Sequence, residues 1–262
     1  MSHAPEAAIR VRVDPTNPGE FFACCGLLEL AHRLWPGAQG WFGNGRFFVA
    51  APFRRDASPL DLLSPLLDCS VEVAKGTQDE KTAPLELGSP ILLHLDWWLD
   101  GNGKPTPFKT WAANATSRQM FCKWRDPLKE SLRAVAGDFL ALLQLGTRLQ
   151  GSYGFDSHLG WDALRVGFSL NEHVGLKDLP TRPVIELVGA IGLQRFLPRL
   201  DRKQYEVRYS PWGHPLSAPV ARVASIGLVQ TNGSRTLRTR FVSRGSFKGL
   251  DAASTFQGEF DE

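Results

Sequence analysis

One stretch, from Asn17 to Trp35, constrains the fold of this chain more than any other. It begins as a helix does, because Asn17 can cap free backbone amides and Pro18 suits the first helical position. Apolar side chains then cover more than one face of the predicted helix: Phe21, Phe22, Cys24, Cys25, Leu27, Leu28, Leu30, Ala31 and Leu34. A helix of this kind is buried by neighbours on two sides. The sequence therefore predicts a core helix.

Gly26 lies in the middle of this predicted helix. A glycine there costs about 1 kcal/mol relative to alanine, so we expect a second backbone to pack closely against the helix at this position. Two later segments, 183–196 and 219–229, also begin with proline and carry a Gly-Leu pair near their end. The shared pattern predicts helices with similar packing environments and, less specifically, an internal duplication.

Strand patterns surround these helices. Residues 9–13 alternate apolar and basic side chains, which predicts a half-buried strand. Segments 41–42 and 46–51 flank the turn Gly43-Asn44-Gly45, which predicts a β-hairpin. Further strands are predicted at 71–74, 91–99, 164–170, 205–209, 236–243 and 246–250. Further helical segments are predicted at 60–67, where Pro65 interrupts the helix, at 116–136, where Asp126-Pro127 breaks it or begins a new one, and at 138–149. This order of elements predicts an α+β fold.

Composition narrows the setting. A length of 262 residues permits one large domain or two small ones, and 43% hydrophobic residues support a sizeable core. The four cysteines form no CxxC pair, so we predict a reducing cytoplasmic setting and no structural zinc. No apolar run reaches the roughly 18 residues of a membrane span, and residues 1–12 lack the apolar segment of a signal peptide. We predict no cofactor and no membrane partner.

The clearest charge signal lies at 231–250, where no acidic residue occurs. This segment holds Phe241, Phe247 and five basic residues, here called the C-terminal basic cluster: Arg235, Arg238, Arg240, Arg244 and Lys248. On a strand, Arg238 and Arg240 project to one side. Neighbouring guanidiniums suit successive phosphates, and aromatic rings suit unpaired bases. The pattern indicates a nucleic-acid contact; the alternative is a solvated strand face above two core phenylalanines.

A second group of basic residues precedes and enters the predicted helix at 116–136. This middle basic cluster, with Phe108, Trp111 and Trp124 among its members, consists of Lys104, Lys109, Arg118, Lys123 and Arg125. A glycine-containing basic loop beside a basic helix can grip a phosphate backbone. The alternative is five scattered surface charges.

Catalytic patterns are few. No P-loop, GxGxxG, GxSxG or HExxH motif occurs, and no residue spacing requires a metal. Of the six histidines, His158 and His214 lie in turn-rich segments, where a general acid or base role in RNA cleavage is conceivable. A non-enzymatic role is the first reading of such a sequence.

Three blocks of the sequence resemble those of a known family. They read Asn17-Pro-Gly-Glu-Phe-Phe-Ala-Cys-Cys-Gly-Leu-Leu-Glu-Leu-Ala, Pro183-Val-Ile-Glu-Leu-Val-Gly-Ala-Ile-Gly-Leu-Gln-Arg-Phe and Tyr209-Ser-Pro-Trp-Gly-His-Pro-Leu. With these blocks the chain resembles the third Csb family, a subunit encoded in type I-U (also called I-G) CRISPR loci. The blocks lie near both ends, so the resemblance spans most of the chain.

This resemblance implies a subunit of a Cascade-like CRISPR effector complex, with CRISPR RNA or target DNA and other effector subunits as partners. Proteins of such loci are often RAMP-like, built from ferredoxin-like β-α-β-β units that hold guide RNA. Residues 244–249 are a loose analogue of the glycine-rich RAMP loop. The implied organisation is an N-terminal RAMP-like α+β region (1–100), a basic loop and inserted helical middle (101–150), and a C-terminal α+β region with a basic strand pair (151–262).

Three functions remain open at this stage. The first is an RNA-binding subunit of antiviral defence that acts through the two basic clusters. The second is an endoribonuclease that processes CRISPR repeat RNA, with His158 or His214 as general acid or base. The third is a protein-interaction scaffold without nucleic-acid contact, in which Trp97, Trp98 and the tail after Asp251 meet a partner protein.

Overall fold

The computed structural model describes residues 5–76, 80–111, 114–134, 139–147, 152–159, 181–229, 235–244 and 247–256. Within these ranges the protein is α+β, as predicted, with antiparallel sheets beside α-helices. The helices are α1 (Pro18–Leu34), α2 (Pro59–Asp68), α3 (Ser117–Cys122), α4 (Arg125–Ala134), α5 (Pro183–Arg195) and α6 (Ala218–Ser225). Short 3-10 helices cover Phe139–Gln144 and Ser157–Leu159.

The strands form three antiparallel groups. The first sheet has β3 in its middle and consists of β1 (Ile9–Arg12), β2 (Gln39–Gly43) and β3 (Arg46–Ala50). The second sheet follows chain order: β4 (Val71–Val73), β5 (Leu85–Leu87) and β6 (Leu93–Leu95). In the third sheet each strand pairs with the next along the chain: β7 (Arg199–Asp201), β8 (Glu206–Tyr209), β9 (Leu237–Arg244) and β10 (Phe247–Leu250). A short strand, β11 (Ser254–Thr255), also pairs with β9.

Helix α1 forms where the sequence predicts it. The Asn17 side chain accepts a hydrogen bond from the Gly19 amide at 3.0 Å, and Pro18 occupies the first turn. Every residue from Pro18 to Ala31 is buried. The helix is therefore the core element that its two-sided apolar pattern indicated.

Helix α5 packs directly against α1, and the two helices run parallel. Arg182, at the start of α5, lies 2.6 Å from Glu20 in the first turn of α1. Arg195, in the last turn of α5, lies 3.1 Å from Glu29 in the second half of α1. Because the two starts meet at one end and the later turns at the other, the helix axes point the same way.

Glycines allow the two helix backbones to touch. A Cβ atom placed on Gly26 would lie 2.0 Å from the Val188 carbonyl oxygen, and one placed on Gly192 would lie 1.8 Å from the Phe22 carbonyl oxygen. The predicted close approach of a backbone at Gly26 is therefore confirmed. Gly26 follows Phe22 by four positions, as Gly192 follows Val188. This reciprocity relates the two helices by an approximate two-fold axis.

The third helix with the shared proline–glycine pattern packs differently. Helix α6 ends at Ser225, and Gly227 lies beyond it in a turn with φ of +77°. The nearest atoms to a Cβ on Gly227 are the hydroxyls of Ser210 and Thr236. The prediction of one packing environment therefore holds for α1 and α5 and is wrong for α6, where the glycine ends the helix.

The middle of the chain departs from several predictions. The strand predicted at 91–99 is limited to β6, because the Gln194 side-chain oxygen accepts the amides of Asp96 and Trp97 at 2.8 and 2.9 Å. The helical segment predicted at 116–136 forms two helices, α3 and α4, as the break or new start predicted at Asp126-Pro127 indicated, with Pro127 in the first turn of α4. The described part of 138–149 includes a 3-10 helix rather than an α-helix. The strand predicted at 164–170 lies outside the described residues.

The three predicted regions share one apolar core. Its buried cluster includes Phe21 from the first region, Trp124 from the second and Ile191 from the third. Helices α3 and α4 are joined to the rest of the protein partly through Ser117, whose hydroxyl donates to the Ala83 carbonyl oxygen at 2.6 Å. Over the described ranges, no helix combines the length and the apolar character needed to cross a membrane.

Candidate nucleic-acid interface

Strand pairing places two arginines of the C-terminal basic cluster on the outer face of the third sheet. Arg238 of β9 lies opposite Arg208 of β8, which in turn lies opposite Arg199 of β7. Arg240 lies opposite Glu206 in the neighbouring row. Directly opposed residues project from the same side of a sheet. We call the surface formed by these five residues the arginine face.

One buried carboxylate organises this face. Glu206 has no solvent exposure, and its Oε1 atom lies 2.8 Å from Nε of Arg208. Its Oε2 atom lies 3.7 Å from Nε of Arg240 and 3.8 Å from Nη1 of Arg238. Residues 231–250 contain no acid, so this partner comes from the neighbouring strand. Three guanidiniums around one carboxylate leave a local charge of about +2 for an external anion.

An aromatic ring completes the arginine face. Phe256 follows β11, and its amide donates to the Thr236 carbonyl oxygen at 2.8 Å. The guanidinium carbon of Arg208 lies 4.1 Å from the centre of the Phe256 ring, and that of Arg238 lies 5.7 Å from it. These are cation–π distances. The ring therefore orients both guanidiniums without neutralising their charge.

The remaining members of the C-terminal basic cluster are not part of the arginine face, and Lys248, which lies opposite Ser243, projects from the other side of the sheet. Arg235 precedes β9 and is exposed, and Lys248 on β10 is also exposed. Arg244 lies opposite Phe247 where β9 and β10 join. Phe241 is half-buried and its ring contacts that of Phe108 at 5.1 Å between centres. The sequence predicted either stacking on unpaired bases or packing in the core for these aromatic rings, and Phe241 packs against the core.

The middle basic cluster is used largely within the fold. Arg125 donates to the carbonyl oxygens of residues 66, 67 and 69 at the end of α2, where a cation also suits the helix dipole. Arg118 donates through Nε to the Val71 carbonyl oxygen at 2.9 Å. Lys109 donates to the Trp111 carbonyl oxygen at 3.2 Å. These contacts occupy donor groups of three members of the cluster within the fold, although the side chains keep their charges.

Two further members of this cluster differ in exposure. Lys123 is partly buried, and burial lowers the pKa of its ammonium group, although the Glu186 carboxylate opposes this shift. Its Nζ atom lies 5.8 Å from the centre of the Trp124 ring. Lys104 is exposed in the loop after β6.

The residues behind the alternative functions are placed separately. His158 lies in the 3-10 helix Ser157–Leu159, and its backbone amide donates to the side chain of Asp156, the residue before that helix. His214 is exposed between β8 and α6. Trp97 and Trp98 are 3% and 2% exposed and pack in an aromatic cluster with Trp111. Their burial leaves these two side chains almost no surface for a partner protein, so only the tail after Asp251 remains in the scaffold hypothesis. Part of the tail after Asp251 is strand β11.

Sequence reasoning missed a buried ionic cluster where α1 and α5 begin. Arg182 donates through Nη1 to Glu20 at 2.6 Å and through Nε to Asp156 at 2.7 Å, and its Nη2 atom also binds Asp156. The side-chain Nδ2 of Asn17 donates to Oδ1 of Asp156 at 2.8 Å. Burial would raise the pKa of Asp156, but Arg182 and Asn17 outweigh it and the pKa is lowered. No local pattern brings residues 17, 20, 156 and 182 together.

Glu186 lies in the first turn of α5 beside this cluster. Burial raises the pKa of its carboxyl group to about 8, against the hydrogen bonds that it accepts from the Ser152 hydroxyl and the Tyr153 amide. At a pH between 4.5 and about 8, the Glu186 carboxyl group is therefore protonated in the folded protein. In the unfolded chain, where its pKa has the ordinary value of 4.5, it is ionised.

This difference predicts a pH dependence of stability. Between pH 4.5 and about 8 the folded state binds more protons than the unfolded state, so the free energy of unfolding falls as pH rises. The slope approaches about 1.4 kcal/mol per pH unit. Urea unfolding at pH 5.5, 6.5 and 7.5 measures it. Glu186→Gln keeps the shape without the proton, so its slope should be shallower; equal slopes for both proteins would refute the assignment.

Within the ranges that the structure describes, no three His, Cys, Asp or Glu side chains are grouped so as to hold a metal ion. Comparison of the chain with protein-family models, with curated proteins and with solved structures returned no match. The class that fold and site define is thus an α+β protein with an arginine-rich outer sheet face.

Proposed function

We propose that this protein is a subunit of a type I CRISPR RNA-guided surveillance complex that binds guide RNA or target nucleic acid in antiviral defence. The arginine face carries the nucleic-acid part of this proposal. The three sequence blocks that resemble the third Csb family support the part that concerns the complex and its other subunits as partners.

The first sheet supports a ferredoxin-like, RAMP-like reading of the fold. Chain order is β1, α1, β2, β3, and β3 lies between the other two strands and antiparallel to both. This is a split β-α-β arrangement, which ferredoxin-like units contain. Helices α3 and α4 would then be the inserted helical middle.

The charge arrangement favours a phosphate backbone as the ligand of the arginine face. Arg240 is 62% exposed and Arg238 is 38% exposed, whereas Glu206 is buried beneath them. An external anion therefore meets guanidiniums before it meets the carboxylate. Guanidinium groups bind phosphate through two parallel hydrogen bonds, which a single lysine cannot provide.

The test replaces Arg238 and Arg240 with glutamine and leaves Arg208 in place, so that Glu206 keeps its partner at 2.8 Å. We expect about a tenfold loss of affinity for a 15-nucleotide single-stranded RNA at low salt. The slope of log K against log salt should fall by about 1.4, because each phosphate contact on a single strand contributes about 0.7. Fluorescence anisotropy over a salt series measures both values.

The matched control is Arg54→Gln/Arg55→Gln, which removes two exposed charges from the loop after β3. This control should bind RNA within about twofold of the wild type, because scattered surface charges make few phosphate contacts. An unchanged salt slope in the Arg238→Gln/Arg240→Gln protein would remove the arginine face from the proposal.

A further inference from the structure

The first sheet has a second basic surface that the sequence patterns did not single out. Strand pairing places Arg12 opposite Arg46, and Arg10 opposite Phe48, which is opposite Trp41. These five side chains project from one side of the sheet. We call this surface the N-terminal sheet face.

The other side of the same sheet is the core side. Ile9 and Val11 of β1, Phe42 of β2, and Phe47 and Val49 of β3 are buried there. The free edge of β2 is also occupied, because Gly40 and Leu216 exchange backbone hydrogen bonds at 2.9 and 3.1 Å. The N-terminal sheet face is therefore the part of this sheet that is open to solvent.

The charges that its own three strands contribute are all of one sign, and an acid beside it is Glu6, which lines a recess with Gln39 and Ala50. The three strands contain no aspartate or glutamate, and Arg10, Arg12 and Arg46 are exposed. Over the described residues, none of these three arginines forms an ion pair. This differs from the arginine face, where Glu206 offsets part of the charge. Three unpaired guanidiniums on one sheet face create a local field that attracts polyanions.

Two aromatic rings lie within this charged surface. Trp41 and Phe48 stack with ring centres 5.2 Å apart and planes at 14°, and both are half-buried rather than sealed in the core. A cross-strand aromatic pair stabilises a sheet by itself, but that role needs no surrounding arginines. Aromatic rings on an open sheet with cations beside them are the arrangement on which unpaired bases stack in RNA-recognition sheets.

We propose that the N-terminal sheet face binds single-stranded nucleic acid, with bases stacked on Trp41 and Phe48 and phosphates held by Arg10, Arg12 and Arg46. This deepens the proposed function, on which it rests for its biological setting, by naming a second and separate contact and its ligand class. Its residues come from strands other than those of the arginine face, so each surface can fail without the other.

The experiment separates stacking from charge with two fluorescein-labelled probes. One is a 15-nucleotide oligothymidylate, and the other is a 15-unit abasic strand with the same deoxyribose-phosphate backbone. Binding is measured by anisotropy in the wild type and in the Arg238→Gln/Arg240→Gln background. The altered proteins are Trp41→Leu/Phe48→Leu and Arg12→Gln/Arg46→Gln. The matched controls are Phe53→Leu, at a ring that is 91% exposed in the next loop, and Arg54→Gln/Arg55→Gln.

We expect Trp41→Leu/Phe48→Leu to weaken oligothymidylate binding about tenfold, and abasic binding less than about twofold, in both backgrounds. Arg12→Gln/Arg46→Gln should weaken both probes and lower the salt slope by about 1.4. Trp41→Phe, which keeps a ring, should bind oligothymidylate within about twofold of the wild type. These changes in the Arg238→Gln/Arg240→Gln background would support the N-terminal sheet face even if the arginine face fails.

Three outcomes overturn the proposal. One is oligothymidylate binding by Trp41→Leu/Phe48→Leu equal to that of the Phe53→Leu control. Another is an equal loss for both probes, which a destabilised sheet would cause. The third is an unchanged salt slope in Arg12→Gln/Arg46→Gln. Both arginines are exposed, so their replacement should not disturb the packing of the core.

Discussion

Gly192→Ala is expected to prevent the protein from folding normally. The added methyl group would lie 1.8 Å from the Phe22 carbonyl oxygen and 2.7 Å from the Gly26 amide nitrogen. Both are backbone atoms of a buried helix, so no side-chain rotation relieves the clash, and α1 and α5 must separate. Alanine improves helix propensity by about 1 kcal/mol, but overpacking of this kind costs about 3 kcal/mol or more. The packing cost exceeds the gain in helix propensity, so the substitution lowers the free energy of unfolding.

Gly189→Ala is the matched control, because it lies in the same helix and gains the same propensity. Its nearest neighbour would be the Gly19 carbonyl oxygen at 3.6 Å, an ordinary contact. We expect urea unfolding to show Gly189→Ala near or above the wild type and Gly192→Ala far below it. Equal midpoints for the two variants would show that α1 and α5 are not in backbone contact at Gly192.

Gly26→Ala tests whether the contact is reciprocal. Its methyl group would lie 2.0 Å from the Val188 carbonyl oxygen, close to the value for Gly192. Since the total stability of a domain is about 5–15 kcal/mol, a loss of this size in either helix is large enough to change the yield of folded protein. Both outer sheet faces therefore form only if α1 and α5 pack correctly against each other.

Local patterns were sufficient to predict α1. Its cap, its proline and its apolar faces lie within one continuous segment, and Gly26 indicated a close backbone even though the identity of that backbone was unknown. The hairpin β2–β3 was equally local. Asn44 and Gly45 have φ of 50° and 67°, as a two-residue hairpin turn requires.

That turn also contained a signal that was not used. A two-residue turn at Asn44 and Gly45 fixes which residues face each other, and it places Trp41 opposite Phe48. The aromatic pair of the N-terminal sheet face was thus predictable from the hairpin. The position of Arg10 beside this pair was not predictable from the hairpin, because β1 and β3 are separated in sequence by α1.

The arginine face shows where local patterns end. Segment 231–250 contains no acid, yet the Glu206 carboxylate on the neighbouring strand lies 3.8 and 3.7 Å from two of its arginines. Phe256 joins them through β11, a strand of two residues that carries no readable pattern. Sequence indicated which residues carry the charge, whereas strand register determined which of them share a surface.

Arg182→Met is expected to cost about 3–5 kcal/mol of the free energy of unfolding. Arg182 binds Glu20 and Asp156, and both carboxylate side chains are only 1% exposed. Methionine fills part of the same volume but leaves two negative charges in the interior without their cation. The donors that remain, the side chains of Gln144 and Asn17 and two backbone amides, are neutral and cannot replace a guanidinium that serves both acids at once.

Two comparisons make this prediction specific. Arg202→Met removes an arginine that is 61% exposed and pairs with Asp100, so its cost should stay below about 1 kcal/mol. The combination Arg182→Met/Glu20→Gln/Asp156→Asn removes the buried charges together and should recover much of the loss, because unpaired charge and not lost volume is the proposed cause. Urea unfolding at pH 7 measures all three proteins. If the triple variant is no more stable than Arg182→Met, the cluster acts through packing and not through its charges.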